Sequence, residues 1–254
     1  MSRSQHDLAR GQFGPQAGAY VTSEVHAAGA DLERLSRLAA ALRPARALDL
    51  GAGGGHVAYA LAPHAGEVVA CDLSPEMIAA VAAEAGRRAL TNISGTVAPA
   101  ERLPFADAHF DCVASRFSAH HWSDLSRGLG EARRVLRRGG TAVFIDVVAP
   151  SAAAWDTHLQ AVELLRDPSH ARDYRTAEWT ALLERAGFRI EAIQAWRLRM
   201  DFASWTRRIG TPPDAVAAIR SLQTGAAETT KAYFAIEADG SFELDVAGFQ
   251  ATAV

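Results

Sequence analysis

Apolar residues in the first 150 positions recur in two alternating patterns. Short apolar runs, of the kind that form buried strands, lie at 47–50, 67–72, 95–97, 110–115 and 141–148. Elsewhere in this part of the chain, apolar residues return every three or four positions, as at Leu32, Leu35, Leu38 and Leu42. The alternation predicts an α/β fold built on a doubly wound parallel sheet.

The pattern changes after Pro150. It predicts helices over 151–166 and 176–187, a strand at 188–197, two short helical stretches at 202–209 and 214–222, and terminal strands at 232–236 and 242–247. In the first half, the helix that starts near Leu125 is expected to end at Gly139 and Gly140. No internal repeat or long linker interrupts the sequence, so we predict one domain over 1–254.

Composition excludes several classes of protein. The chain has 254 residues, 49% of them apolar, and a formal charge of −3, with basic and acidic residues intermixed. It has no basic stripe for a phosphate backbone, so we do not expect nucleic acid as a partner. It also has no apolar run as long as about 18 residues and no apolar signal-peptide core, so we expect no membrane span and a cytoplasmic location.

The two cysteines, Cys71 and Cys112, each lie within an apolar run. This placement predicts buried free thiols rather than a disulfide or a thiolate metal site. The oligomeric state is left open, and a homodimer is compatible with the sequence.

The candidate chemistry begins at LDLGAGGGH, between the first strand and the next helix. Gly51, Gly53 and Gly55 let the backbone turn tightly and approach a ligand that a Cβ would exclude. The dinucleotide fingerprint would need a further glycine at position 56, where His56 stands, so a pyrophosphate site is disfavoured.

Two aspartates accompany this turn. Asp49 lies near the end of the first strand, where its carboxylate can reach a cationic ligand directly or through water. Asp72 ends the second strand, where a carboxylate can take both hydroxyls of a ribose. The alternative is that Asp72 is a surface carboxylate at a strand end.

Four motifs resemble a known family. LDLGAGGG, ACDLSPEM, AERLPFADAHFD and EARRVLRRGGTAVFID are similar, in order and spacing, to class I S-adenosylmethionine-dependent methyltransferases, particularly the branch with ubiquinone and menaquinone biosynthesis methyltransferases. The resemblance covers residues 10–150 well. It implies a Rossmann-like, mostly parallel sheet of seven strands with an antiparallel last strand, and S-adenosyl-L-methionine as cofactor. It also implies an N-terminal helical lid over 1–45, a cofactor-binding core over 46–150, and helical cap insertions with closing strands over 151–254.

The same resemblance implies which residues hold the cofactor. Asp49 would support its amino-acid end, Asp72 its ribose, and the remaining cofactor-binding residues would be Tyr20, Gly51, Ala52, Gly53, Gly55, Leu73, Met77, Ala100, Glu101 and Ser115. Tyr20, with Phe13, resembles a segment that folds over the cofactor, although plain core packing is an equal alternative. Pro99 stands where the family often has an acid, so adenine recognition must rest on backbone groups or another side chain.

Two adjacent histidines, His120 and His121, follow the fourth strand in SRFSAHHWSD. That loop is expected to face the glycine turn across the crevice of the sheet. Adjacent rings diverge, and no His-x3-His pair or cysteine accompanies them, so we predict no metal. One ring could act as a general base or orient the acceptor, with Asp146 as its partner; the alternatives are a shape-defining wall and a structural carboxylate.

Aromatic residues indicate the acceptor. Phe117 and Trp122 are placed to form the wall near the transferable methyl group, and His170 and Tyr174, in the polar loop of the cap, could close over a substrate. A solvated loop is the alternative for the last two. Tryptophans across the second half hint at an apolar or aromatic acceptor, although they are often core residues.

Three functions share some of these features. A methyltransferase that transfers by in-line displacement to a small molecule fits all four motifs, since the chemistry mainly requires positioning. An NAD(P)-dependent reductase would share the glycine turn and the ribose acid, but the third glycine and a Tyr-x3-Lys pair are missing. A non-catalytic regulatory protein that binds the cofactor is kept open by Pro99.

Overall fold

The computed structural model describes residues 4–14, 18 and 29–254. Tyr20 lies outside the described residues. The strands are β1 Arg46–Leu50, β2 Glu67–Asp72, β3 Ile93–Val97, β4 Phe110–Arg116, β5 Leu136–Ala149, β6 Tyr174–Arg175, β7 Phe188–Met200 and β8 Phe242–Ala253. The described helices are α1 Gln5–Phe13, α2 Ala30–Leu42, α3 His56–Leu61, α4 Pro75–Arg87, α5 Leu125–Val135, α6 Ala153–Arg166, α7 Thr176–Arg185, α8 Phe202–Arg208, α9 Pro213–Gly225 and α10 Glu228–Tyr233.

The strands form one sheet in the order β3-β2-β1-β4-β5-β8-β7. The first five pair in parallel, and β8 runs antiparallel to both β5 and β7. This confirms the predicted Rossmann-like sheet, to which the two-residue β6 adds a short pairing with β5. Because the strand order reverses between β1 and β4, a crevice opens above their carboxyl ends.

Apolar side chains fill both faces of the sheet. One cluster packs α5 and α7 against one face of the sheet, around Phe144, Trp179 and Phe249. A second cluster packs α2, α3 and α4 against the opposite face, around Ala47 of β1. A third cluster joins α6, α8 and α9 to the ends of β5, β7 and β8 around Trp205. Cys71 and Cys112 are buried free thiols, as predicted.

Helix termini fix the loops that border the crevice. The Ser74 hydroxyl accepts from the N–H of Met77 at 3.2 Å, and Pro75 opens α4. Asp124 caps α5 in the same way, accepting from the N–H of Arg127 at 3.0 Å. None of the described helices is long and apolar enough to cross a membrane.

Two expectations about the elements are wrong. The strand expected at 232–236 is the end of α10 and the turn after it, because Thr230 and Phe234 are buried four positions apart on one helical face. The partner of β8 is instead the long strand β7. Helix α5 ends at Val135 rather than at the glycine pair, since the chain enters β5 at Leu136 and Gly139, with φ of 76°, lies inside the strand.

Candidate active site

A cavity lies above the carboxyl ends of β1, β2 and β4. Its empty space is about 1520 Å³, including the part open to solvent. The wall combines the glycine turn, the loops after β2, β3 and β4, and residues of α1, α6 and α8. A site at the reversal of strand order is therefore built mainly by the motifs that the sequence singled out.

The turn between β1 and α3 requires its glycines. Gly51 has φ of 73°, and a Cβ there would lie 1.8 Å from the Ser118 hydroxyl oxygen. Gly55 has φ of 82°, and its Cβ would lie 2.7 Å from the Tyr59 hydroxyl. Gly53 faces open space, and its N–H donates to Oδ2 of Asp72 at 2.8 Å. The cradle is thus closed to side chains and open to a ligand.

Asp72 joins the glycine turn to the start of α4. Besides the bond from Gly53, its Oδ1 accepts from the N–H of Ser74 at 2.9 Å. These bonds hold the carboxylate in the cavity wall, and each oxygen keeps a lone pair for a ligand hydroxyl. Burial raises the pKa of this carboxyl above its ordinary value despite the two donors.

Asp49 lies deeper in the same wall, with 1% of its surface exposed. Its Oδ2 accepts from the N–H of Ala58 at 2.9 Å, in the first turn of α3. Burial is the main cause that raises the pKa of Asp49 to about 7. The hydrogen bond from Ala58 acts in the opposite direction, and the nearby charge of Asp72 acts in the same direction as burial. The site therefore holds a carboxylate whose ionisation a cationic ligand would stabilise.

The side expected to hold the adenine is formed by Leu73, Met77, Pro99, Ala100 and Glu101. Glu101 is occupied within the protein, since its Oε1 accepts from the N–H of Ser123 at 2.6 Å and from the Ser123 hydroxyl at 2.7 Å. Its Oε2 lies 3.3 Å from Nε2 of His6 on α1. Glu101 therefore ties the loop after β4 and the N-terminal helix to the rim of the cavity.

The expectation that Ser115 lies in the cofactor site needs correction, because Ser115 does not line this wall. Side chains alternate along a strand, so that Arg116, the next residue, lines the cavity while Ser115 points into the protein. Within the described part of the chain its buried hydroxyl has no hydrogen-bond partner.

His120 lies in the wall and is paired with Asp146 of β5. Its Nδ1 is 2.6 Å from Oδ1 of Asp146, and its backbone N–H donates to Oδ2 of the same carboxylate at 3.3 Å. Burial disfavours the charged ring, but the carboxylates around it, first Asp146 and then Asp173 and Glu163, outweigh burial and raise the pKa of His120 to about 9. His120 is therefore an imidazolium at neutral pH.

His121 lies beside His120 in the wall, with ring centroids 4.1 Å apart. Burial and then the charge of His120 lower the pKa of His121 to about 3. Its Nδ1 is 3.3 Å from the carbonyl oxygen of Ser169, and the ring of Phe13 contacts it edge-on at 4.7 Å. The pair thus combines one charged and one neutral ring. Among residues 4–14, 18 and 29–254, no cluster of three or more His, Cys, Asp or Glu is arranged to hold a metal.

Phe117 and Trp122 line the cavity as expected, but His170 and Tyr174 do not contribute to the wall that the described residues form. His170 is buried rather than solvated, because the N–H of Ala171 donates to the carbonyl of His120 at 2.8 Å and folds the segment back. This places His170 behind His120, with ring centroids 5.9 Å apart. Tyr174 continues into β6 and packs against the core around Trp179.

Sequence reasoning missed six charged residues among the described residues of the wall, which are Arg10, Arg116, Glu163, Arg166, Asp173 and Arg208. Glu163 and Arg166 lie on the buried face of α6, at helical spacing from Leu159 and from each other. Charged residues on an otherwise apolar helix face were the available signal. Apolar residues complete this part of the cavity, namely Val147, Leu198, Met200, Trp205 and Leu244.

Comparisons with known proteins agree with this architecture. The family described as a methyltransferase domain matches residues 48–144. YafE of Escherichia coli K12 is 41% identical over 192 residues, which cover 76% of this chain and 93% of YafE. The uncharacterized methyltransferase YcgJ of Bacillus subtilis is 35% identical over 202 residues, covering 80% of each chain. The crystal structure of YcgJ has a TM-score of 0.83 at 31% identity and covers 87% of this chain and 97% of its own.

A demethylmenaquinone methyltransferase of Beutenbergia cavernae is 36% identical over 160 residues, which span 61% of this chain and 64% of that enzyme. The fold, the glycine cradle and these relatives define a class of enzyme that transfers methyl groups. The chain belongs to the S-adenosylmethionine-dependent methyltransferase family, and S-adenosyl-L-methionine is its cofactor.

Proposed function

We propose that the protein transfers the methyl group of S-adenosyl-L-methionine to a small molecule with an apolar or aromatic body, rather than to a nucleic acid. One observation carries this proposal: beyond the glycine cradle the cavity continues between apolar side chains, among them Phe117, Leu198, Met200 and Trp205. Such walls favour burial of an apolar ligand.

The cofactor would lie against the glycine turn. The cradle that a Cβ would fill and the two buried carboxylates fit its parts: Asp49 would face the ammonium group and Asp72 the ribose hydroxyls. Its other contacts would come from Gly51, Ala52, Gly53, Leu73, Met77, Ala100 and Glu101. Gly55, which was expected among them, does not line the cavity, because it packs against Tyr59 and Val81. When bound, the cofactor supplies a methyl group activated on a sulfonium, with a neutral thioether as leaving group.

The two histidines would have different roles. Because His120 is an imidazolium at neutral pH, it would stabilise negative charge on the acceptor, with Asp146 holding its ring. His121 is neutral and lies between Phe13 and the loop at Ser169, so it would shape the wall. Catalysis would then rest on positioning and electrostatics.

Helix α1 and the cap insertions would close the cavity, as the proposed division into lid, core and cap requires. From α1, the Gln5 side-chain amide donates to the carbonyl of Ser169 at 2.5 Å, and that of Gln12 donates to the carbonyl of Ile209 at 2.7 Å. These bonds join the N-terminal helix to the cap over the site. A closed site would exclude water from the transfer.

A transfer assay tests the proposal. The protein is incubated with methyl-labelled cofactor and, in parallel, with a panel of small aromatic compounds, RNA and an unfolded protein. We expect label in small molecules, and the variants His120→Ala and His121→Ala should lower this turnover while the affinity for S-adenosylhomocysteine stays unchanged. His109→Ala is the matched control, since His109 precedes β4 at the end of the sheet opposite the cavity. Label that enters only RNA or protein would refute the small-molecule proposal.

A further inference from the structure

The wall of the cavity contains a buried carboxylate without a partner. Asp173 has 1% of its surface exposed, and its Oδ2 has no hydrogen-bond partner among the residues that the structure describes. The closest cationic or ring nitrogen recorded near it is Nε2 of His170 at 3.8 Å, and this nitrogen lies 3.0 Å from Oε1 of Gln160. A buried oxygen of this kind is costly to the fold unless a ligand or water supplies a donor.

Two cations share the wall with Asp173. His120 is held as an imidazolium by Asp146. The guanidinium of Arg166 lies 4.9 Å above the ring of Trp205, and its Nε donates to the carbonyl of Trp205 at 3.1 Å, which fixes its position. Each cation is paired with a carboxylate, His120 with Asp146 and Arg166 with Glu163 at 3.5 Å, so the unpartnered acceptor oxygen of Asp173 lies beside two fixed ion pairs.

This combination discriminates between ligand chemistries. An ammonium group would meet the positive charges of His120 and Arg166, and a carboxylate would meet the carboxyl groups of Asp173 and Glu163. A neutral hydroxyl avoids both conflicts. It can donate to Asp173, and the negative charge that forms when it ionises lies near the two cations.

We propose that the methyl acceptor carries a weakly acidic hydroxyl on its apolar body, and that this hydroxyl donates its hydrogen bond, and then its proton, to Oδ2 of Asp173. The inference rests on the proposed function. In the proton transfer, the O–H bond of the acceptor breaks, a bond forms between the proton and Oδ2, and the electron pair stays on the acceptor oxygen. Burial raises the pKa of Asp173 well above its ordinary value, so only its ionised form, which higher pH favours, can take the proton, and that form is a stronger base than an exposed carboxylate.

Binding to three probes tests this recognition without turnover. The wild-type protein is saturated with S-adenosylhomocysteine and titrated by calorimetry with 4-propylphenol, 4-propylanisole and 4-propylbenzylamine, which share an apolar body. At one mildly alkaline pH we expect the phenol to bind at least about tenfold more tightly than the anisole, and the amine to bind most weakly. Equal binding of phenol and anisole, or preferred binding of the amine, would overturn the proposal.

Asp173→Val then assigns the preference to one side chain. Valine removes the acceptor oxygens with little change in size, so the phenol should lose its advantage while the anisole binds as before. Asp214→Val is the control, because Asp214 is exposed at the start of α9, and it should keep the wild-type preference. A preference that survives Asp173→Val would exclude Asp173 as the recognising group.

The titration with S-adenosylhomocysteine separates the two levels of the argument. Failure of the wild-type protein to bind it would remove the proposed site, and with it this inference. Normal cofactor binding without a preference for the phenol would overturn only the inference. If Asp173→Val does not fold, the comparison of the three probes on the wild-type protein still decides the question.

Discussion

Binding of the cofactor should release a proton from Asp49. In the ligand-free protein, burial raises the pKa of this carboxyl to about 7, far above the ordinary value of 3.8. The proposed position places the cofactor ammonium beside the Asp49 carboxylate. A positive charge next to a carboxylate lowers the pKa of that carboxyl group by about 1 to 3. The proton held by free Asp49 must then leave when the complex forms.

The expected amount follows from the titration of a single group. With a pKa of about 7, the free protein carries about 0.9 of a proton on Asp49 at pH 6, about 0.5 at pH 7 and about 0.1 at pH 8. If the pKa in the complex falls to about 5, nearly all of this is released. Release should therefore be large at pH 6 and nearly absent at pH 8.

Calorimetry measures this release directly. S-adenosylmethionine is titrated at each pH in two buffers with different ionisation enthalpies, and the slope of the observed enthalpy against the buffer enthalpy gives the number of protons. Asp49→Asn keeps an oxygen that can accept from Ala58 but cannot titrate, so its slope should be near zero at every pH. Asp72→Asn is the comparison: because the charge of Asp72 contributes to the raised pKa of Asp49, the slope should become smaller but should not vanish.

A wild-type slope near zero at both pH 6 and pH 7 would refute the reasoning. So would a slope that persists in Asp49→Asn, since the proton would then come from another group. If it disappeared in Asp72→Asn instead, the second raised carboxyl of the cradle would be its source.

Three further predictions concern the same cavity. Asp72→Ala should weaken binding of S-adenosylhomocysteine by roughly 1 to 3 kcal/mol through lost charged hydrogen bonds, and an unchanged calorimetric affinity would contradict its role. Gly51→Ala should lower the free energy of unfolding in urea by about 1 to 3 kcal/mol, because its Cβ would overlap a neighbouring hydroxyl at positive φ, whereas Gly86→Ala, in open space on α4, should not. The raised pKa of His120 stabilises the folded state fully below pH 6.5, and this contribution, up to about 3 kcal/mol, is lost as the pH rises through 9. Asp146→Asn should reduce that part of the pH dependence of unfolding strongly, since Asp146 is the largest favourable cause of the raised pKa. An identical dependence in both proteins would count against the pair.

The central sheet could be predicted because its pattern is local. Each parallel strand is a short apolar run between a helix and a turn, and the order reverses where such folds reverse it. The second half depends on packing between distant segments. An apolar stretch such as 232–236 fits a strand or a helix equally well by periodicity, and only the burial of Phe234 within the cap decides between them.

The candidate site divides in the same way. Asp49, Asp72 and Asp146 were found because the carboxyl ends of parallel strands meet at one edge of the sheet. Asp173 was missed and His170 misplaced, since the fold of their loop depends on the bond from Ala171 to the carbonyl of His120. No feature of the local sequence specifies that bond.

The buried carboxylates of the cavity wall lower the stability of the folded protein. When ionised above pH 7, Asp49 destabilises the folded state by about 4 kcal/mol, because its pKa is raised by about three units. Burial likewise disfavours the ionised form of Asp173 at the other end of the cavity. Asparagine at either position would remove the penalty, so a more stable protein is readily accessible from this sequence. In the proposed contacts, ligands supply the partners that these carboxylates lack in the free protein. Relief of the electrostatic penalty then favours binding of a cation at one end of the cavity and of a hydroxyl at the other.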